Sequence, residues 1–222
     1  VGRYLFVNFK AYSEATGKNA VLLAKKLESA AKGSEVKVIL VVASLDLRAV
    51  ASQTSLRVFA QHFDFFGQGA FTGSISVEAL KEAGAVGSAL NHAEKKLGND
   101  FVEKTVLAAK KEKFSVLLCA ETIERAKGFC RLAPEFIAFE PPELIGGDIS
   151  VSTASPGIVK DFAREVAKNS PKTVPLVGAG IKTSLDVEKA LEFGAKGVFV
   201  ASGIVKAKDP QIALKGLLKG FD

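Results

Sequence analysis

Three side chains of different acid–base character, Glu140, His92 and Lys10, carry the clearest chemical possibilities in the sequence. Glu140 opens the segment Phe139-Glu-Pro-Pro-Glu-Leu-Ile-Gly-Gly-Asp148, in which two prolines stiffen one hinge and a glycine pair frees the other. The apolar Leu144-Ile145 tip between them is able to cover a ligand, so the composition suits a lid that excludes water over a general base. It also suits a plain connection whose acid caps the next helix. His92, one of two histidines, stands in Asn91-His-Ala-Glu94, where an imidazole serves either as an electrophile or as a hydrogen-bonded structural residue. Lys10, in Asn8-Phe-Lys10, is either a cation for a developing oxyanion or a surface charge. Two small-residue turns, Gly178-Ala-Gly180 and Ala201-Ser-Gly203, leave backbone N–H groups free to close on an anion such as phosphate, although glycines serve tight turns as well.

Such groups act together only if the fold gathers them. Short apolar runs rich in β-branched and aromatic residues recur at 4–7, 36–42, 58–60, 87–90, 115–119, 136–139, 174–177 and 197–201. Their apolar character is continuous rather than alternating, which predicts strands covered on both faces, as in a parallel sheet. Helical stretches lie between them. Ser155-Pro156 and Asp209-Pro210 pair an N-cap residue with proline at the first helical position. Thr183-Ser-Leu-Asp186 reads as a variant capping box, and Gly33, Gly84 and Gly194 close helices. Eight strand–helix units of about 28 residues each fill the 222-residue chain. An internal echo, Glu82-Ala-Gly-Ala-Val-Gly87 against Glu192-Phe-Gly-Ala-Lys-Gly197, falls almost half a chain apart. Together these favour a single (β/α)8 barrel over an open doubly wound sheet, with residues 1–222 as one domain. In such a barrel the site lies at the C-terminal ends of the strands. That rule selects Asn8 and Lys10 after the first strand, His62 and Asp64 after the third, Asn91, His92 and Glu94 after the fourth. It adds Glu121 and Glu140 after the fifth and sixth, and places the two small-residue turns after the last two. His62 reads as structural, shaping the loop after the third strand.

Composition excludes several classes. With 48% hydrophobic and 24% charged residues the chain is of ordinary globular usage, not disordered. Cys119 and Cys130 alone make no disulfide framework, and two histidines give no zinc-ligand spacing. The thiols read as reduced and the compartment as cytoplasmic. Net charge is +6, but the lysines are scattered among acids, so solvated helix faces and a small anionic substrate are expected rather than a nucleic-acid partner. No apolar run reaches the roughly 18 residues of a membrane span. The loop after the third strand, Phe63-Asp-Phe-Phe-Gly-Gln-Gly-Ala-Phe-Thr72, is too apolar to leave in water; its rings cover either their own barrel or another surface.

In Asn8-Phe-Lys10, Gly69-Ala-Phe-Thr-Gly73, Asn91-His-x-Glu94, Glu140-Pro-Pro-Glu-Leu-Ile-Gly146, Gly178-Ala-Gly180 and Ala201-Ser-Gly203, taken in order, the sequence resembles the triosephosphate isomerase family, in particular its short archaeal branch. The similarity spans essentially the whole chain. It implies a TIM barrel that interconverts glyceraldehyde 3-phosphate and dihydroxyacetone phosphate through an enediolate, a step of glycolysis and gluconeogenesis, without a cofactor. By motif position it implies Glu140 as the base, His92 as the electrophile, Lys10 as the cation beside Asn8, and Glu94 as the residue orienting Lys10. It further implies that backbone amides around Ile145, Gly180, Ala201 and Ser202 hold the phosphate. A homo-oligomer, at least a dimer, is implied through Phe65, Phe66, Phe71 and Thr72 of the loop after the third strand. The sequence departs from the family pattern at Ala93 (usually serine), at Lys95-Lys96 (usually arginines) and at Gly147-Asp148 (commonly Thr-Gly). Those departures leave open a competing expectation, a non-catalytic or impaired phosphate-binding barrel. Another phosphosugar barrel, such as a pentose-phosphate epimerase, is a weaker alternative, since that chemistry would use other strand-end acids.

Overall fold

The computed structural model describes residues 2–141 and 156–222. Eight parallel strands close on themselves in chain order: β1 (Tyr4–Asn8), β2 (Lys37–Val42), β3 (Arg57–Ala60), β4 (Gly87–Leu90), β5 (Ser115–Ala120), β6 (Phe136–Phe139), β7 (Val174–Val177) and β8 (Gly197–Val200). Closure is made by β1, which pairs with β2 in the register Tyr4↔Lys37 and with β8 in the register Tyr4↔Gly197. Among the described residues the α-helices are α1 (Lys18–Ala31), α2 (Ser44–Ala51), α3 (Val77–Glu82), α4 (Asn99–Lys111), α5 (Ile123–Cys130), α6 (Pro156–Asn169), α7 (Ser184–Glu192), the short α8 (Ser202–Val205) and α9 (Pro210–Leu218). This is the (β/α)8 TIM barrel expected from the sequence, and each expected strand lies within a residue of the observed one.

Why the apolar runs are continuous is visible in the two cores. Alternate residues of the strands point inward, where Tyr4, Phe6, Phe59, Phe136 and Phe199 join smaller residues on the barrel axis. The others, such as Leu5, Val7, Val38 and Leu40, point outward against the helices. Phe6 meets Phe136 edge-on at 5.0 Å and Phe59 at 5.4 Å between ring centroids, the geometry favoured by the ring quadrupoles. Each fully buried phenylalanine contributes about 1.5–3 kcal/mol of transfer free energy. Two glycines allow close approaches in the wall, Gly87 of β4 to the Phe59 ring and Gly197 of β8 to the β1 backbone. A Cβ on Gly87 would lie 2.4 Å from Phe59 Cζ, and one on Gly197 would lie 2.1 Å from the Tyr4 carbonyl oxygen.

Helix ends follow the local signals. Thr183 and Asp186 form the reciprocal capping box of α7, and Asp209 accepts from the Gln211 and Ile212 N–H groups ahead of Pro210 in α9. Gly33, Gly84 and Gly194 take positive φ just beyond their helices. The expected cap at Ser155 lies outside the described residues. No helix among the described residues is long and apolar enough to cross a membrane.

Candidate active site

Asn8, Lys10, His92, Glu140, Gly180 and the Ala201–Ser202 turn line one cavity at the C-terminal end of the barrel. These sequence-selected groups therefore come together from the ends of five strands, β1, β4, β6, β7 and β8, or the turns after them.

Glu140 follows β6 directly, and its N–H donates to the Ala120 carbonyl of β5 at 2.9 Å. It is 5% exposed. Its Oε1 lies 3.7 Å from His92 Nε2, while Oε2 is buried without a hydrogen-bond partner among the described residues. Burial pushes its pKa above the ordinary carboxylate range; His92, a hydrogen bond from the Cys119 thiol and the Lys10 charge oppose that rise, and Glu94 adds to it. A carboxylate this short of solvation is a stronger proton acceptor than one in water. Room for it is made by Gly178 at the end of β7, where a Cβ would lie 2.6 Å from Glu140 Cγ and 2.7 Å from Oε1.

His92 heads a short 3-10 turn over Ala93–Lys95. Its Nδ1 accepts the Glu94 N–H at 3.1 Å, which leaves the ring proton on Nε2, the nitrogen facing Glu140. Lys10 is held in a left-handed backbone conformation, φ +49°, that a non-glycine residue adopts at a cost of about 1–3 kcal/mol. Three bonds hold it there. Its N–H donates to Asn8 Oδ1 at 3.0 Å, its carbonyl accepts from Gln61 Nε2 at 2.9 Å, and its Nζ donates to Glu94 Oε1 at 2.6 Å. Gln61 also donates to Asn8 Oδ1 at 3.3 Å.

At the far end of the cavity Ala179 and Gly180 both take positive φ, turning backbone toward the cavity side where α8 begins. The Ile204 and Val205 N–H groups of α8 already donate to the Ala201 carbonyl at 3.1 and 2.9 Å, so only the N–H groups of Ser202 and Gly203 are left to meet an anion there. A cavity with a desolvated carboxylate at its floor, an N–H imidazole and an ammonium beside it, and amide donors at one end can move a proton on a small anionic carbonyl compound.

Other candidates fall elsewhere. His62 bonds Asp64 Oδ1 at 3.2 Å and stacks on Phe101, and Asp64 in turn accepts the Ile75 N–H at 2.7 Å, so the pair pins the ends of the loop after β3. Burial lowers the His62 pKa, helped by the Lys95 charge and opposed by Asp64. Glu121 pairs with Lys96 and Arg125, each at 3.7 Å. In the Phe-rich loop Phe63 is fully buried, Phe65 packs edge-on against Phe101 of α4 at 5.1 Å, and Phe66 stacks between Phe65 and Phe71. Phe71 remains 44% exposed. Leu144, Ile145, Gly146, Gly147 and Asp148, the expected lid and its closing hinge, lie outside the described residues. Sequence reasoning passed over Gln61, beside the His62 it singled out, and did not foresee that Gly178 serves the carboxylate by its lack of a side chain. Among the described residues no group of three His, Cys, Asp or Glu side chains could hold a metal ion.

A family model described as triosephosphate isomerase matches residues 3–218. Among curated relatives, a protein of Thermoplasma volcanium is 44% identical over 97% of this chain and 99% of its own length. One of Methanothermus fervidus is 41% identical over 96% of both chains, and one of Methanosarcina barkeri is 39% identical over 97% of both. Each of the three is named triosephosphate isomerase.

Proposed function

The chain belongs to the triosephosphate isomerase family, and we propose that it interconverts D-glyceraldehyde 3-phosphate and dihydroxyacetone phosphate. The observation that carries the assignment of roles is the buried Glu140 carboxylate facing His92 Nε2 across 3.7 Å in the cavity that Lys10 lines.

In this reading Glu140 takes a proton from the carbon next to the substrate carbonyl. The electron pair of that C–H bond becomes the carbon–carbon double bond of an enediolate, and the carbonyl oxygen gains the negative charge. His92 donates its Nε2 proton toward that oxygen and recovers one from the neighbouring hydroxyl, while the Lys10 ammonium and Asn8 stabilise the charge as it forms. Glu140 then returns its proton to the adjacent carbon, and every group ends as it began. Glu94 orients Lys10 through its 2.6 Å bond. Amides of Gly180, Ala201 and Ser202, joined by Ile145 from the segment after Glu140, hold the phosphate. No cofactor enters these steps.

The reading takes residues 1–222 as one catalytic unit, acting in the cytoplasm, with no nucleic-acid or membrane partner. It also takes the protein as a homo-oligomer, at least a dimer, with Phe65, Phe66, Phe71 and Thr72 at the subunit contact; the exposure of Phe71 supports this. An impaired phosphate-binding barrel is not favoured, because base, electrophile and cation all line one cavity. The deciding experiment is a coupled triose-phosphate turnover assay on the wild type and Glu140→Gln. Loss of the base is expected to lower kcat by about 10²–10⁴-fold; equally slow turnover in both would reject the assignment.

A further inference from the structure

The steps above give nothing to Asn91, although it immediately precedes His92 and is 3% exposed. It follows β4 directly in a left-handed conformation, φ +59°, which asparagine tolerates better than most residues carrying a side chain. Glycine would supply that backbone turn more easily. What glycine would not supply is the amide, and both of its ends are engaged.

Asn91 Nδ2 donates to the Cys119 carbonyl of β5 at 3.0 Å, and Oδ1 accepts the Leu97 N–H at 2.9 Å. With a carbonyl on one side and an N–H on the other, only one orientation of the amide satisfies both bonds. The second bond draws Leu97 back to Asn91 and closes the intervening residues, His92 and Glu94 among them, into a loop with fixed ends. The first bond refers that loop to β5. The next β5 carbonyl, that of Ala120, accepts the Glu140 N–H at 2.9 Å. Electrophile and base are thus both hung from two successive carbonyls of one strand.

The geometry points to Asn91 as a positioning residue for His92: its amide sets where the Nε2 proton stands relative to the Glu140 carboxylate. The inference rests on the roles given to Glu140 and His92 above. It differs from a purely structural role because the register of His92, not the survival of the barrel, depends on the amide.

The test compares wild type, Asn91→Gly and Asn91→Asp by steady-state kinetics and by ¹⁵N NMR of the imidazoles, His62 and His92 being the two in the chain. Asn91→Gly keeps the left-handed turn and deletes both bonds. Asn91→Asp keeps the acceptor for Leu97 but sets a carboxylate oxygen against the Cys119 carbonyl. A displacement of order 1 Å in a reacting group costs about 10²-fold, so each variant is expected to lose kcat on that scale with KM changed less than about threefold. The ¹⁵N signals of His92 are expected to move away from those of a single Nε2–H tautomer. Wild-type kcat in Asn91→Gly would overturn the proposal, and so would a loss of kcat with the His92 spectrum unchanged. Should the wild type fail to turn over triose phosphates, the isomerase assignment falls separately, and the His92 spectrum of Asn91→Gly alone decides the role of Asn91.

Discussion

Glu140 has to be ionised to accept a proton, yet it sits where ionisation is costly. Burial raises its pKa above 4.5, so the acid limb of the kcat/KM profile is expected above that value, with activity falling as pH drops through the shifted pKa. The same shift has a signature in stability. Between the unfolded and the raised folded pKa the native state holds more protons, so stability is fully present below the unfolded value and is lost as pH rises through the folded one. Glu140→Gln is therefore expected to raise Tm at neutral pH, with the gain shrinking at acid pH; calorimetry across that range checks the sign. Gly178→Ala tests the room left for the carboxylate. With a Cβ 2.6 Å from Glu140 Cγ, the side chain has to move, and kcat is expected to fall about 10²-fold as for any misplaced reacting group. His62 works the other way in pH: its pKa is lowered by burial, so the stability it contributes is present above about 6.5 and lost as pH falls below that value.

Elements position these side chains through ordinary local rules, and those rules can be probed singly. Thr183→Ala removes one half of the capping box at α7 and is expected to cost about 1 kcal/mol, read as a lower denaturation midpoint with activity retained. Gly197→Ala is expected to cost more, about 1–3 kcal/mol or beyond, because the added carbon meets the Tyr4 backbone rather than a flexible chain end. The contrast marks what a sequence can display. The strands were legible because two-sided burial makes a strand apolar at every position, and caps were legible because their partners lie within three residues. Gln61 was not, because the carbonyl it bonds is 51 residues away on Lys10. Nor was the crowding at Gly178, which arises from Glu140 on the adjacent strand. The Phe-rich loop was legible as too apolar for water, but not in its detail: Phe65 settles on Phe101 of its own chain while Phe71, stacked on Phe66, stays 44% exposed.

For the molecule as a whole, that division within the loop makes the assembly testable. Phe71→Asp places a charge at the most exposed ring and is expected to shift sedimentation equilibrium toward the single-chain mass of 23.4 kDa, while an unchanged mass would locate the contact elsewhere. Closure of the barrel has another consequence, for its sulfur. The chain has no methionine, and both cysteines are buried, Cys119 on the inner wall with its thiol beside Glu140. Burial lifts the Cys119 pKa well above a thiol's usual range, so the reactive thiolate is scarce as well as hidden. An alkylating reagent can reach it only after the packing around it opens. The pace at which Cys119 is labelled in native buffer therefore clocks the loosening of the packing beneath Glu140, and while that packing holds an oxidant meets a thiol that is hidden and protonated.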